Sequence, residues 1–155
     1  MRSRLGAMAK STPETWGSHA QHVLAQNNHH TGAARRAVVE LLDSQSCALS
    51  AVEIEELLKS GSRPVGRASV YRILDELERL RLVQKLQVGQ SMARYEPIRS
   101  GPGHHHHLVC DNCGTVTPFT DPELETAIKK LSHRVPMRVD EHEIVLHGAC
   151  PDCSE

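Results

Sequence analysis

Two Cys-x-x-Cys pairs, Cys110 with Cys113 and Cys150 with Cys153, are the residues of this sequence best suited to chemistry. Each pair on a tight turn directs two sulfur atoms at one ion, and two pairs complete the tetrahedral shell of a structural zinc site. No apolar run has the length of a membrane span, and the start lacks a signal peptide, so we expect a cytoplasmic protein without a membrane partner. Because cytoplasmic thiols stay reduced, the pairs predict structural Zn²⁺ rather than disulfides.

Four consecutive histidines, His104 to His107, run into the first cysteine pair. If they begin a strand, alternation places His104 and His106 on one face and His105 and His107 on the other. A His-x-His pair on one face suits a first-row divalent ion, completed by a carboxylate or a further imidazole. The candidates for the remaining ligands are Glu96, Glu125, His142 and Glu143. On these residues alone, a polar loop without ligands or the remnant of an affinity tag stays open as an alternative.

The segment "RPVGRASVYRILDEL" predicts an amphipathic helix that contacts DNA. Its apolar stripe recurs at the spacing of one helix face and comprises Val70, Ile73, Leu74, Leu77 and Leu80. Arg67, Ser69 and Tyr71 then lie near the leading end, and Arg72 lies on the outer face. The first turn of a recognition helix is where side chains reach base edges or phosphates. An ordinary solvated helix face is the alternative.

Charge is distributed unevenly along the chain, although the net charge is only −1. Residues 1–103 contain 14 lysines and arginines against 10 acidic residues, whereas residues 104–155 contain 4 against 9. A basic half joined to an acidic half is expected if one half meets a polyanion and the other binds cations. A chance asymmetry between solvated surfaces would give the same counts.

The elements around these residues follow from periodicity. Helices are predicted from about Gly17, within "TGAARRAVVELLDSQ", and after Ser50, which forms a capping-box signature with Glu53. The basic helix is the fourth, and "LVQKLQV" and "SMARYEP" form a hairpin around a turn at Gly89-Gln90. Helices followed by a two-stranded hairpin are typical of a winged helix-turn-helix.

A change of pattern marks the second half of the chain. "IRSGPG" predicts a hinge, and beyond it short strands around "HHLVC", "TVTPF" and "DEHEIVLHGAC" enclose a helix in "DPELETAIKKLSHRV". We therefore predict an α+β protein with a winged-helix DNA-binding domain over 17–97, a hinge over 98–103 and a metal-binding domain over 104–155. The first 15 or so residues are polar and aperiodic, and we expect them to be disordered.

Three stretches, "VGRASVYRILDELERLRLV", "HHHHLVCDNCG" and "HGACPDC", closely resemble the ferric uptake regulator (Fur) family of metal-dependent bacterial repressors. The resemblance runs from about Arg35 to Cys153. It implies a homodimer in which the winged helix is joined by a hinge to a C-terminal α/β dimerisation domain. It also implies binding to palindromic double-stranded operator DNA when a regulatory metal is present.

The resemblance also implies a role for individual residues. The four cysteines match the structural zinc site. A metal site within the dimerisation domain matches His104, His106, Glu125 and His142. The hinge site that senses metal matches Glu96, His105 and His107. Arg35 matches the arginine that opens the second helix, and Tyr71 and Arg72 match the Tyr-Arg pair of the recognition helix.

Two positions depart from the family pattern at the hinge site. Where the family often has a histidine, this chain has Ala48 with Cys47 beside it, and Pro118 replaces a glutamate of many iron sensors. The fourth hinge ligand is therefore open. Cys47 could contribute if the register slips by one, and soft sulfur would favour zinc over ferrous iron. A lone cysteine is, however, more often a small core residue.

We interpret the chain as a zinc-responsive repressor of metal uptake genes, not an enzyme, with Zn²⁺ or Fe²⁺ as the regulatory metal. An iron-responsive or peroxide-sensing regulator of the same family is the alternative. A zinc-storage protein would fit the histidines but would leave the winged helix without a purpose. A zinc hydrolase or deaminase needs an open coordination position, and the deaminase signature H-x-E with P-C-x-x-C is absent.

Overall fold

The computed structural model of the chain describes residues 15–27, 32–62, 64–88, 92–99 and 104–154. The first half contains α1 (Trp16–Gln26), α2 (Ala33–Ser44), β1 (Leu49–Ser50), α3 (Ala51–Lys59), α4 (Arg67–Arg79), β2 (Val83–Val88) and β3 (Met92–Pro97). The second half contains β4 (His106–Cys110), β5 (Val116–Phe119), α5 (Pro122–Ser132), β6 (Val145–Gly148) and a final 3-10 turn (Pro151–Cys153). Within the described ranges, no helix is long and apolar enough to cross a membrane.

Three expectations from the sequence fall wholly or largely on positions that the structure does not describe. These are the disorder of the polar start, the turn at Gly89-Gln90 and most of the hinge, residues 100–103.

The first half is a winged helix-turn-helix, as the sequence predicted. Strands β2 and β3 form the antiparallel wing, in register from Val83 opposite Pro97 to Val88 opposite Met92. A third strand, β1, pairs with β3 through Leu49 and Tyr95, giving the order β1-β3-β2. The sequence did not predict β1, because two residues are too short to display an alternating pattern.

The core of this half is built on the apolar stripe of α4. Val70, Leu74 and Leu77 are completely buried there, in one cluster with buried apolar residues of α1, α2 and α3. Trp16 closes one side of the core, and its indole Nε1 donates a hydrogen bond to the Leu82 carbonyl at 2.9 Å. The helix spacing read from the sequence therefore fixes which side of α4 faces outward.

The start of α3 is fixed by the predicted capping box. The Ser50 hydroxyl accepts a hydrogen bond from the Glu53 amide at 3.2 Å, and the Glu53 carboxylate accepts one from the Ser50 amide at 2.7 Å. Arg94 of β3 pairs with the same carboxylate at 2.9 Å. The cap thus joins helix α3 to the wing.

The second half is an α/β unit around a three-stranded sheet in the order β5-β4-β6. Strand β4 pairs antiparallel with β5 and parallel with β6. Helix α5 begins at the N-cap Asp121, whose side chain accepts hydrogen bonds from two backbone amides, but no residue of α5 is buried. The last strand is shorter than we predicted, because β6 begins at Val145 and His142 precedes it.

Candidate metal centres and nucleic-acid interface

The two cysteine pairs meet at the end of the C-terminal sheet. The parallel pairing of β4 with β6 places Cys110 opposite Gly148, which brings the final turn beside the first pair. The ligand atoms of Cys110, Cys113, Cys150 and Cys153 all lie within 4.8 Å of one another. The Cys113 and Cys150 sulfurs are 3.7 Å apart, close to the spacing of about 3.8 Å that a tetrahedron with Zn–S bonds of about 2.3 Å requires. The four thiols therefore fit a zinc ion.

The thiols of the cluster differ in how readily they ionise. Backbone amides of Cys113 and Cys150 donate to the Cys110 sulfur and lower the pKa of its thiol to about 6. Hydrogen bonds with Cys150 and Cys113 raise the pKa of Cys153 to about 12. The Cys110 thiolate forms readily, whereas the Cys153 thiolate forms with difficulty, because hydrogen bonds to the neighbouring sulfurs favour the protonated Cys153 thiol. A bound divalent cation allows all four to ionise.

A second group of possible ligands lies between β4, α5 and the segment before β6. The ligand atoms of His104, His106, Glu125 and His142 lie within 4.8 Å of one another. His106 Nε2 is 2.6 Å from a Glu125 oxygen, and the Nε2 atoms of His104 and His142 are 3.1 Å apart. Tetrahedral zinc with Zn–N bonds of about 2.0–2.1 Å places nitrogens about 3.3 Å apart. We call this group the domain site.

The domain site contains the residues that alternation grouped, although the strand itself begins only at His106. The imidazole of His106 is completely buried, and its Nδ1 atom has no hydrogen-bond partner among the described residues. Hydrogen bonds from His106 and His142 lower the pKa of the Glu125 carboxyl by more than its partial desolvation raises it. The other carboxylate candidate, Glu143, belongs to none of the three ligand groups found in the described part of the chain.

The opposite face of the histidine run meets the wing, and we call this group the hinge site. The imidazoles of His105 and His107 converge on one oxygen of Glu96, with Nε2 distances of 3.2 Å and 3.0 Å. Gln84 of β2 donates a short hydrogen bond to the other oxygen. Burial alone would raise the pKa of the Glu96 carboxyl, but the hydrogen bonds from His107 and Gln84 lower it overall. A buried carboxylate is thus kept charged between two imidazoles.

The structure also shows which of two adjacent residues faces the hinge site. The ligand atoms of Cys47, Glu96 and His107 lie within 4.8 Å of one another. Ala48, the position that the family pattern indicated, is buried and has only a methyl group as its side chain. Pro118 lies opposite His107 in the β4–β5 register and supplies no carboxylate. Sequence reasoning identified Cys47 only as an alternative, since position in the chain does not fix side-chain direction in a turn.

The candidate DNA-binding residues lie on the outer side of α4. The ring of Tyr71 is 43% exposed, and Arg72 donates to the Ser69 hydroxyl at 3.1 Å. Arg67 at the start of the helix is paired with Glu55 of α3 at 2.7 Å. Arg35, Ser69 and Arg72 are among the residues that line a groove of about 540 Å³ between α2 and α4. Three of the five predicted residues therefore share one groove, whose lining also includes Asp75 and Glu76, whereas Arg67 and Tyr71 are not among its lining residues.

Arg35 is held in this groove by a residue that the sequence analysis missed. Its Nε and Nη2 atoms donate to the two carboxylate oxygens of Glu76 at 2.6 Å and 3.2 Å. Glu76 is only 5% exposed, on the side of α4 that carries the apolar stripe. The sequence did contain a signal for this pair, since Glu76 is an acidic residue on the apolar face of α4, immediately before Leu77. A buried carboxylate requires a charged partner, so a basic residue could have been expected opposite it.

Comparisons with known proteins agree with this arrangement. The sequence model of the ferric uptake regulator family matches residues 26–147. The ferric uptake regulation protein of Bacillus subtilis is 34% identical over 122 residues, which cover 77% of this chain and 82% of that protein. The solved structure of the Helicobacter pylori ferric uptake regulator matches with a TM-score of 0.76 and 27% identity, over 94% and 95% of the two chains. The Vibrio cholerae regulator matches with a TM-score of 0.72 and 26% identity, over 84% of this chain and 98% of that one.

Proposed function

The chain belongs to the ferric uptake regulator family, and from that premise we propose that it is a zinc-responsive repressor of metal uptake genes. It is a transcription regulator and not an enzyme. In the proposed mechanism, a homodimer binds palindromic operator DNA when the regulatory metal is bound at the hinge site.

The hinge site is the observation that carries this proposal. Glu96 belongs to the wing of the DNA-binding half, whereas His105 and His107 belong to the half that follows the hinge. When bound, the metal supplies a positive charge that residues of both halves coordinate. Holding these side chains together favours one relative position of the two halves. A ligand shifts such an equilibrium only by its differential affinity for the two states, so operator DNA should reciprocally strengthen metal binding.

Dimerisation is supported by apolar surface on the C-terminal sheet. Leu108 and Leu146 lie opposite each other in the parallel β4–β6 pair and are 42% and 49% exposed. In a symmetric dimer, the same patch of a second copy would cover them. The two α4 helices would then enter successive major grooves, which predicts an operator with inverted half-sites.

The remaining ligand groups are assigned by the same reasoning. We propose Cys110, Cys113, Cys150 and Cys153 as a structural zinc site, because a closed four-thiolate shell leaves no position for exchange. The domain site is proposed as a further metal site. The structure of the Helicobacter pylori relative is described as having three functional metal-binding sites, and the described residues of this chain also contain three ligand groups.

Zinc is favoured as the regulatory metal by the composition of the hinge site. Its donors are two imidazoles and one carboxylate, and Pro118 stands where a second carboxylate would add hard oxygen ligands. Imidazole suits zinc well, whereas extra carboxylates suit harder ions. Iron is the second candidate, because the Bacillus subtilis relative is named for ferric uptake.

A DNA-binding titration tests this proposal. Duplexes would be selected from a random pool by the zinc-loaded protein, and their affinity measured by fluorescence anisotropy with chelator, Zn²⁺, Mn²⁺ or anaerobic Fe²⁺. We expect Zn²⁺ to increase the affinity by about 5- to 150-fold. Glu96→Gln should remove the increase, whereas Glu143→Gln, a matched change outside the ligand groups, should keep it. Equal affinity under all metal conditions would refute the metal-dependent mechanism, and a response to Fe²⁺ alone would replace zinc by iron.

A further inference from the structure

We propose that Cys47 is a thiolate ligand of the regulatory metal, so that the DNA-binding half supplies sulfur as well as the Glu96 carboxylate to the hinge site. This inference rests on the proposed function and identifies the ligand that the family pattern left open. It also changes the chemical character of the site from nitrogen and oxygen alone to a mixed set that contains sulfur.

The distances place the thiol within reach. The ligand atoms of Cys47, Glu96 and His107 are already within 4.8 Å of one another. In a tetrahedral zinc site, a sulfur and a nitrogen are about 3.6 Å apart, given bonds of about 2.3 and 2.0–2.1 Å. A closure of at most about an ångström would therefore complete the set.

Two arginines hold the turn that carries Cys47. Arg99, two residues after β3, donates to the Asp43 carboxylate at 3.0 Å and to the Asp43 carbonyl at 2.9 Å. Arg94 of β3 donates to the carbonyl of Ala48 at 3.1 Å. Strand β3, which presents Glu96, thus also fixes the backbone on the other side of Cys47. The turn and the carboxylate are positioned by the same element.

The surroundings of Cys47 differ from those of a core cysteine. Cys47 is only partly buried and is not a member of the hydrophobic core cluster. Its sulfur points toward the Val116 carbonyl at 3.9 Å, a long contact that a thiol can give up at little cost. Its other neighbours include Glu96 and His107, which are 4% and 0% exposed.

His107 supplies an independent sign that this cluster binds a ligand. Its imidazole is completely buried, and its Nδ1 atom lacks a hydrogen-bond partner among the described residues. Buried polar groups are normally satisfied, so a completely buried imidazole with one unpartnered nitrogen, held through its other nitrogen against a buried carboxylate, is not an ordinary core residue. A carboxylate, an imidazole and a thiol that meet in such a place form a metal-binding set.

A thiolate ligand has a specific consequence for metal choice. Soft sulfur increases the preference for zinc and cobalt over the harder ferrous and manganous ions. It also gives the DNA-binding half two ligands, Cys47 and Glu96, so the metal connects that half more firmly to His105 and His107. Replacing the family's histidine by the Cys47 thiolate would thus change which metal the hinge site prefers. The metal would still connect the DNA-binding half to His105 and His107.

Cobalt spectroscopy tests the inference directly. The full chain would be prepared with zinc in the four-cysteine site and with the other sites emptied by mild chelation, then titrated with Co²⁺. A bond between sulfur and cobalt produces a near-ultraviolet charge-transfer band. We expect this band in the native chain, its loss in Cys47→Ser, and its retention in the neighbouring control Ala48→Ser. Retained zinc, measured after titration, verifies that cobalt has not entered the four-cysteine site.

A second measurement is independent of absorbance. Alkylation of Cys47, followed by mass spectrometry, should be slow with Zn²⁺ and fast with chelator. In competition titrations, Cys47→Ser should weaken zinc binding at the hinge site by more than about 100-fold, the upper end of what the loss of a supporting residue costs. The far-ultraviolet circular dichroism of Cys47→Ser should remain native, because serine is nearly isosteric with cysteine.

The outcomes separate this inference from the proposed function. Absence of the band in the native chain, or its persistence in Cys47→Ser, would refute Cys47 as a ligand even if DNA binding depends on metal. If the band behaves as expected but DNA affinity is the same with and without metal, the ligand assignment stands and the regulatory function fails.

Discussion

The two halves of this chain are stabilised in different ways. All members of the hydrophobic core cluster found in the described residues lie between Trp16 and Tyr95. Residues 104–154 contribute four buried side chains, and two of these are His106 and His107. Helix α5 has no buried residue, and Met137 is 75% exposed. The first half is therefore held by its own apolar core, whereas the second half has no comparable core among the described residues, and in the proposed function bound metal and a partner surface would stabilise it.

In the proposed function, this difference would let one chain combine a stable DNA-binding half with a metal-responsive half. A core of packed apolar residues changes little with solution conditions. A fold held by metal–ligand bonds has a stability that depends on the metal, because binding free energy and folding free energy are then the same quantity.

The largest effect should follow removal of the structural metal. Structural zinc contributes on the order of 10–16 kcal/mol in small zinc domains, so a strong chelator or Cys113→Ser should unfold the C-terminal sheet. Trp16 is the only tryptophan and lies in the core of the first half, so its fluorescence should stay native. Hydrogen exchange of β4 to β6 should rise at the same time. If the native Trp16 fluorescence is lost together with the hydrogen-exchange protection of β4 to β6, the two halves do not unfold independently.

A cavity in the apolar core should destabilise the first half and leave the zinc content unchanged. Leu77 is completely buried, and Leu77→Ala should lower the free energy of unfolding by about 2–5 kcal/mol. The measurement is urea denaturation followed by Trp16 fluorescence. Leu131→Ala is the matched control, because Leu131 is 50% exposed and such changes usually stay within about 0.5 kcal/mol. Zinc content should be native in both variants, and a loss of zinc in Leu77→Ala would contradict the contrast.

The Arg35–Glu76 pair should affect DNA binding more than metal binding. Glu76→Gln removes the charge that holds Arg35 in the groove, at a cost of about 1.5–3 kcal/mol for hydrogen bonds to a charged group. We expect a lower thermal unfolding temperature and weaker DNA binding. The zinc affinity of the hinge site should be native, as measured by competition with a coloured chelator. An equal loss of zinc affinity would indicate that the groove and the hinge site are coupled.

The smallest predicted effect concerns pH. Burial raises the pKa of Glu53, but hydrogen bonds from Ser50 and the charge of Arg94 lower it overall, below its usual value of 4.5. The ionised carboxylate therefore stabilises the first half above the unfolded-state pKa, and this stability is lost as pH falls through the folded-state pKa. Since Glu53 is substantially exposed, we expect less than about 1 kcal/mol. Glu53→Gln should reduce the acid sensitivity of Trp16 unfolding, and an unchanged pH profile would exclude this contribution.

The elements that could be predicted were those with strong local patterns. The stripe of α4 and the capping box at Ser50 depend on residues three and four apart, so the sequence displays them directly. The pairing of His104 with His106 followed from the two-residue repeat of extended backbone.

What could not be predicted depends on contacts between distant segments. The buried position of Glu76 requires its partner Arg35, which is far away in the chain. Whether Cys47 or Ala48 faces the hinge site depends on the conformation of the turn that carries them. Arg94 of β3 and Arg99, just after β3, hold that turn through hydrogen bonds. The end of β6 nearest His142 was overestimated, because periodicity does not show where strand pairing stops.

The parallel pairing of β4 with β6 has a consequence for the order of events during protein synthesis. Cys110 emerges from the ribosome well before its neighbours in space, Cys150 and Cys153, which lie near the C-terminal end of the sequence. Helix α4, which we propose to contact DNA, is by then complete, and the first half can fold first. A nascent chain interrupted before Cys150 would contain the complete first half, but only Cys110 and Cys113 of the proposed zinc ligands.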